Sequence, residues 1–259
     1  MNNQIEKKSN TPVLIIVGVL VLAALGGWWF YNSSKVTPAA NTNTAANKAN
    51  TAAKANTIPA NAPQGAQPPN QAGSPAALVT LEEFADFQCP QCGNVHPIMN
   101  EIKSIYGSRI HFIFRNFPLA IPAHDKSYDA AVAAEAAGMQ GKFLDMQNLL
   151  FSNQKAWTAA PAFKQIWKGY AEKIGLDIAQ WENDMAGIAA KSRVDSDMAR
   201  GKALAVNSTP TLYVNGVSIQ FEDMNLQSLK TLIDAEIQNA APQKPPANVP
   251  TASTANSNK

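Results

Sequence analysis

The sequence predicts an α/β fold: one sheet covered by helices, with a helical block inserted at its middle, preceded by one transmembrane helix and a disordered linker. Three observations carry that expectation. Residues 77–115 read strand, helix, strand; the ninety residues that follow read as helices; and residues 210–237 read strand, Asn-Gly turn, strand, helix. Only the middle of the 259-residue chain has the composition to bury a core. The formal net charge is +2, 15% of residues are charged and no Lys/Arg cluster could track a phosphate backbone, which argues against a nucleic-acid binder.

Residues 1–12 are read as a short cytoplasmic N-terminus. Residues 13–31, "VLIIVGVLVLAALGGWWFY", are uncharged, and about 20 such residues cross a bilayer core of roughly 30 Å. The competing reading is a cleavable signal peptide ending near Ala24-Leu25-Gly26. Trp28, Trp29 and Tyr31 at the end of the run favour an uncleaved anchor, since such rings settle at the lipid–water interface. Lys7 and Lys8 precede the segment while Lys35 and Lys48 follow it, so only the terminal amine tips the amino end towards the cytoplasm. Residues 32–75 are rich in Asn, Thr, Ala, Pro and Gln, with almost no large aliphatics. Such a segment buries too little apolar surface to offset the entropy of ordering and is expected to be a disordered linker. The tail at 239–259 has the same composition and the same expectation.

Within residues 76–238, "ALVTLEEFADF" (77–87) and "RIHFIFR" (109–115) have strand character. Between them Val95, Ile98, Met99, Ile102 and Ile105 mark one helix face, which Gly107 can end. Strand, helix, strand over so short a span implies a parallel pair with a right-handed crossover. Ala-rich "SYDAAVAAEAAGMQ" (127–140) allows close helix packing, and Phe163, Ile166, Trp167, Tyr170 and Ile174 form an apolar stripe. Asp177 and Gln180 have capping-box spacing. "PTLYV", Asn215-Gly216 and "VSIQF" predict a hairpin, because Asn-Gly tolerates the positive φ of a type I′ turn. Leu226, Leu229, Leu232, Ile233 and Ile237 predict the last helix.

The two cysteines of the chain, Cys89 and Cys92, fall together in "QCPQCGNVHP". As a staple they would close a four-residue loop worth only about 2 kcal/mol. As metal ligands with His96 they would leave a structural zinc site one ligand short. The redox reading uses the whole context. Strand end, Cys-Pro-Gln-Cys and helix start put Cys89 at a helix amino terminus, where unpaired N–H groups and the macrodipole favour a thiolate. Pro90 suits a first helical turn because it has no N–H bond to lose. Cys92, one turn further in, would resolve a mixed disulfide, and a C-x-x-C motif beside a βαβ pattern is a redox signal. Pro97 predicts a bend in the following helix. Glu83, six residues before Cys89, would carry the proton of Cys92 if buried near it, or would be a solvated acid on a strand edge. Alternation places Glu82 and Glu83 on opposite faces, so both are not expected to face the core; Asp86 is the other candidate acid.

The segments "EEFADFQCPQC", "FRNFPL", "AAVAAEAAGMQGKF" followed by "LLF", and "STPTLYVNG" occur in that order. They resemble the membrane-anchored DsbA-like thiol-disulfide oxidoreductases of the thioredoxin superfamily, over residues 76–238. The resemblance implies a thioredoxin-like fold with a helical insertion at about 122–204, a catalytic domain on the extracytoplasmic side, and Thr209-Pro210 as a cis-proline loop that holds the substrate chain. It also implies that Glu83 is the buried acid, that Pro97 is the helix kink, and that no cofactor is needed beyond a redox-active Cys89-Cys92 disulfide. Gln91 departs from relatives with histidine at that place, so a less acidic Cys89 is expected. His96 is the only histidine expected to approach the site; His111 and His124 are expected to be ordinary. The function implied is donation of the disulfide to cysteine-containing secreted or surface proteins, with reoxidation by a membrane quinone-linked partner. A reductase for specific extracytoplasmic thiols, and a tethered binding module without enzymatic activity, are the alternatives.

Overall fold

The computed structural model describes residues 57–240. The segment at 13–31, residues 32–56 of the expected linker and the chain beyond Ala240 lie outside the described residues. Among the described residues no helix is long and apolar enough to cross a membrane.

The sheet has five strands in the order β1-β3-β2-β4-β5. They are β1 (Asn70–Gly73), β2 (Val79–Ala85), β3 (Ile110–Asn116), β4 (Thr211–Val214) and β5 (Val217–Ser218). β2 and β3 pair in parallel, from Val79 opposite Ile110 to Ala85 opposite Asn116, and the other pairs are antiparallel. The parallel pair is joined by α1 (Pro90–Tyr106), which ends at Gly107 with φ +51° and runs through Pro97. The helices α2 (Ser127–Gly138), α3 (Phe143–Ser152), α4 (Gln154–Ala159), α5 (Phe163–Lys173), α6 (Ile178–Ala186) and α7 (Ile188–Ala203) lie between β3 and β4. α8 (Leu226–Ala240) closes the described chain, so Asn239 and Ala240, expected in the tail, are helical. Asn215 and Gly216 both have positive φ, as the hairpin turn requires. Asp177 caps α6 by accepting a hydrogen bond from the Gln180 N–H at 2.9 Å.

Strand alternation divides the core. Leu81, Ala85, Ile110, Phe112 and Phe114 pack with Val95, Met99 and Ile102 of α1 and Leu229 and Ile233 of α8. Tyr106 ties the two helices together, donating to Asp234 Oδ1 at 2.8 Å. On the other face Phe84 packs with Phe117, Leu204, Val206 and Tyr213. That face also carries a buried ionic network. Arg115 and Arg200 both bond Glu82 Oε1 at 2.7 Å, and Arg115 bonds Asp197 Oδ1 at 3.0 Å.

This network corrects the expected linker boundary, because residues 57–75 belong to the fold. Thr57 bridges to Val217, and β1 pairs with the edge of β3. The carbonyls of Pro63, Ala66, Gln67 and Pro68 accept bonds from Arg200, Arg115 and Arg193. The Ala66 N–H donates to Asp197 at 2.9 Å. The segment is thus held largely through backbone groups, which a composition lacking large aliphatics does not reveal. Glu82 and Glu83 do lie on opposite faces, yet both are buried, because helices cover one face and α7 with residues 57–69 cover the other.

Asp197 accepts from Ala66 N, Arg115 and Asn116. Asp197→Ala leaves a buried guanidinium and two backbone donors without this partner. Urea unfolding is expected to show a loss of about 3 kcal/mol or more, whereas a loss below about 1 kcal/mol contradicts the strapping role assigned to the network.

Candidate active site

β2 ends at Ala85, and the chain turns through Asp86, Phe87 and Gln88 into α1. Asp86 fixes this turn with four accepted bonds. Its Oδ1 accepts from Gln88 N (2.7 Å) and Ser127 Oγ (2.6 Å), and its Oδ2 from Leu119 N (2.8 Å) and His124 Nδ1 (2.6 Å). The Cys89 N–H donates to the Asp86 carbonyl at 3.1 Å. Cys89 is the N-cap of α1 with extended backbone, and Pro90 follows in the first turn. Both cysteines are free thiols. Cys89 is 6% exposed and Cys92 0%, so an incoming sulfur reaches the first before the second.

The two thiols are driven apart in acidity. Cys89 is lowered to about 5, first by the hydrogen bond from the Cys92 thiol; burial opposes this, and Thr209 and the backbone N–H groups of Cys92 and Gln91 add to it. Cys92 is pushed well above its ordinary value by burial, then by its bond to Cys89 and the negative charge there. The Asp86 N–H approaches Cys92 Sγ at 3.5 Å. As a thiol, Cys89 Sγ donates to the Thr209 carbonyl at 3.2 Å. The Thr209 hydroxyl is buried without another partner, which leaves it free to donate to the thiolate. The Thr209-Pro210 peptide is cis. Gln91 contributes its backbone, while its side chain accepts from Asn94 at 3.3 Å.

Behind Cys92, on the α1 face of the sheet, lies Glu83. Burial raises its carboxyl to about 7 against the pull of Lys103. Lys103 is itself lowered by its burial, and its ammonium stands 4.7 Å from the centre of the Phe112 ring. Glu83 adds to the upward push on Cys92, so acid and thiol sense each other. Glu82 behaves oppositely: burial would raise its carboxyl, but Arg200 and Arg115 hold it below the usual range. The solvated-edge reading of Glu83 is therefore replaced by burial beside the thiol.

A sequence profile of the family described as thioredoxin matches residues 66–235. The chain belongs to the thioredoxin family. Structures similar to this thioredoxin-like domain include oxidised BdbD from Bacillus subtilis, with 23% identity and a TM-score of 0.58 over 68% of this chain and 98% of that one. α-DsbA1 from Wolbachia pipientis matches at 17% identity and a TM-score of 0.57 over 67% and 93%. A thioredoxin-like oxidoreductase from Silicibacter pomeroyi matches at 24% and 0.55 over 66% and 92%. These likenesses speak to the fold, and they place DsbA-like oxidoreductases among its neighbours. Among curated proteins, the Na(+)/H(+) antiporter NhaA 1 of Mycobacterium sp. (strain KMS) is 38% identical over 146 residues, 56% of this chain. The match takes in 23% of that antiporter, so the chain spans under a quarter of its length.

Cys89, Cys92, Pro90, Gln91, Thr209 and Pro210 thus meet at the start of α1, with Glu83 beneath them. The histidine expectation is corrected. His96 bonds Asn148 at 2.9 Å, stacks on Phe151 and is lowered to about 4 chiefly by burial, so it completes no ligand set with the cysteines. His124 instead reaches the cysteine turn through Asp86. Lys103 and Gln154 were not singled out by sequence, since a lone lysine or glutamine on a helix carries no motif.

Two measurements probe this geometry. Alkylation of reduced Cys89 should fall off with a midpoint near pH 5 while Cys92 stays unreactive, and a midpoint near 8 to 9 refutes the thiolate assignment. A carboxyl whose folded pKa lies above its unfolded one binds a proton on folding, so the Glu83 contribution declines as pH rises from about 4.5 to about 7. Glu83→Gln should therefore gain on wild type between pH 4 and pH 8, by on the order of 3 kcal/mol. Equal effects of the substitution at both pH values would contradict the raised carboxyl.

Proposed function

We propose that the protein is an extracytoplasmic thiol-disulfide oxidoreductase that donates the Cys89-Cys92 disulfide to cysteine-containing secreted or surface proteins. The observation that carries this reading is the divergence of the two thiols: Cys89 lowered to about 5 and Cys92 pushed well up. An ionised Cys89 stabilises the dithiol form at neutral pH by on the order of 2 kcal/mol, which makes the disulfide more oxidising by some 40 mV than one with ordinary thiols.

In the forward reaction a substrate thiolate attacks Cys89 Sγ, the bond to Cys92 breaks, and Cys92 leaves with the electron pair. Glu83, poised near neutrality, supplies the proton that Cys92 takes up. A second substrate thiolate then attacks the substrate sulfur of the mixed disulfide and expels Cys89, a good leaving group because it is stable as an anion. The substrate loses two electrons and the protein gains them. The extended chain of the substrate would lie along Thr209-Pro210, whose carbonyl already faces Cys89. Reoxidation calls for a two-electron acceptor, which we assign to a membrane quinone-linked partner.

The apolar run at 13–31 supports a single-pass anchor that leaves the domain on the extracytoplasmic side, where disulfides persist. The similarity to a segment of proteins named as Na(+)/H(+) antiporters fits a position at a membrane.

Equilibration of the protein with glutathione redox buffers tests the direction. The oxidase reading expects a reduction potential more oxidising than about −200 mV, with oxidation of a reduced model substrate lost in Cys89→Ser. A potential at or below about −270 mV favours the reductase instead. Unchanged substrate oxidation in Cys89→Ser removes the enzymatic reading altogether.

A further inference from the structure

We infer that Gln154 is a positioning residue for the cysteine turn: its carboxamide clamps the carbonyls of Phe87 and Cys89, and residue 93 is glycine so that the clamp can lie against α1. The inference deepens the oxidoreductase reading and rests on it.

Gln154 Nε2 donates to the Phe87 carbonyl at 2.8 Å and to the Cys89 carbonyl at 2.9 Å, which uses both of its hydrogens. The two acceptors bracket the turn that leads into Cys89. The Cys89 carbonyl also receives the first helical bond, from the Gly93 N–H at 3.1 Å, so one oxygen joins the clamp to the start of α1.

The clamp is itself anchored. Gln154 opens α4, and Trp157, one turn on, is fully buried. The Trp157 indole donates to the Leu150 carbonyl at 2.7 Å and packs edge-on against Trp167, 5.2 Å between ring centres. Lys126 Nζ donates to the Thr158 carbonyl at 2.6 Å. The helical insertion therefore holds the amide in place, and the amide holds the turn.

Gly93 supplies the second observation. Its φ is not positive, so backbone conformation does not call for glycine there, and glycine within a helix is otherwise a loss relative to alanine. A Cβ at this position would stand 2.8 Å from Gln154 Oε1 and 3.3 Å from Cδ. Alanine could be accommodated only if the carboxamide moved, which displaces the group that makes both bonds. The N–H groups of Gln91 and Cys92 reach Cys89 Sγ only while this turn keeps its shape, so the clamp acts on the thiolate through the backbone and touches no reacting atom.

The test compares the full chain with Gln154→Ala, Gln154→Met, Gly93→Ala and the Gln154→Ala/Gly93→Ala double variant. The rate of alkylation of reduced Cys89 is followed against pH, and the dithiol–disulfide equilibrium with glutathione is measured in parallel. Methionine keeps bulk over Gly93 but donates nothing, so it separates the bonds from mere packing. Each single variant is expected to raise the alkylation midpoint by roughly half a unit to one unit, a three- to tenfold loss of thiolate on the acid limb. The glutathione equilibrium should move by a similar factor towards a less oxidising disulfide. The double variant should be no worse than the worse single one, because both substitutions break the same contact. A wild-type midpoint retained in Gln154→Met, or additive effects of the two alanines, overturns the inference alone. An ordinary thiol titration in the wild-type protein overturns the functional reading on which it rests.

Discussion

The thiol chemistry open to this domain depends on two neighbouring sulfurs that cannot both be ionised. Cys89 sits at the amino end of α1, where N–H groups converge, and Cys92 sits one turn inside, cut off from water. A charge on Cys89 is stabilised by the Cys92 proton, and the same charge makes that proton harder to lose. In the proposed exchange this geometry separates the roles within one motif: the outer sulfur is the one attacked and expelled, and the inner one stays protonated until the disulfide forms. Helix position alone would lower a thiol pKa; the buried neighbour converts that effect into an asymmetry with direction.

Such an arrangement requires the turn between β2 and α1 to stay put while sulfur bonds are made and broken. Asp86 supplies one constraint, binding the loop around Leu119 and His124 and the start of α2 at Ser127. Gln88 adds another, accepting from Lys126 N and Ser127 Oγ. These bonds reach into the helical insertion, as do those of Gln154. The insertion therefore braces the cysteine turn through both the start of α2 and α4. The sheet alone holds the turn only at its strand end.

Much of the fold was legible because its signals are local. The stripe of Val95, Met99 and Ile102, the Asn215-Gly216 turn and the Asp177 cap each follow from spacing within a few residues. The cysteine pair and its place at the start of α1 are legible for the same reason. What stayed hidden was carried by distant partners. β1 and the segment before it are secured by arginines from β3 and α7, so a low-aliphatic stretch that resembles a linker is in fact an edge strand and a strap. Lys103 carries no motif that marks it in the sequence. Its place beneath the sheet becomes visible only when Glu83 is set opposite it.

The neighbouring acids on β2 show how one strand gives two identical side chains opposite proton affinities. Glu82 and Glu83 are adjacent in sequence and opposite in orientation, and each face of the sheet treats its acid differently. Two guanidiniums keep Glu82 ionised within the strap network, and its pKa is held low. Glu83 meets one partly desolvated ammonium and no such fork, so burial prevails and its proton affinity rises into the neutral range. A carboxylate clamped by arginines has its lone pairs committed and its charge neutralised, which suits a structural tie and is useless for carrying a proton. A carboxyl left near neutrality is useful for that task because neither form is strongly preferred. Exchanging the partners, rather than the acids, would exchange the roles.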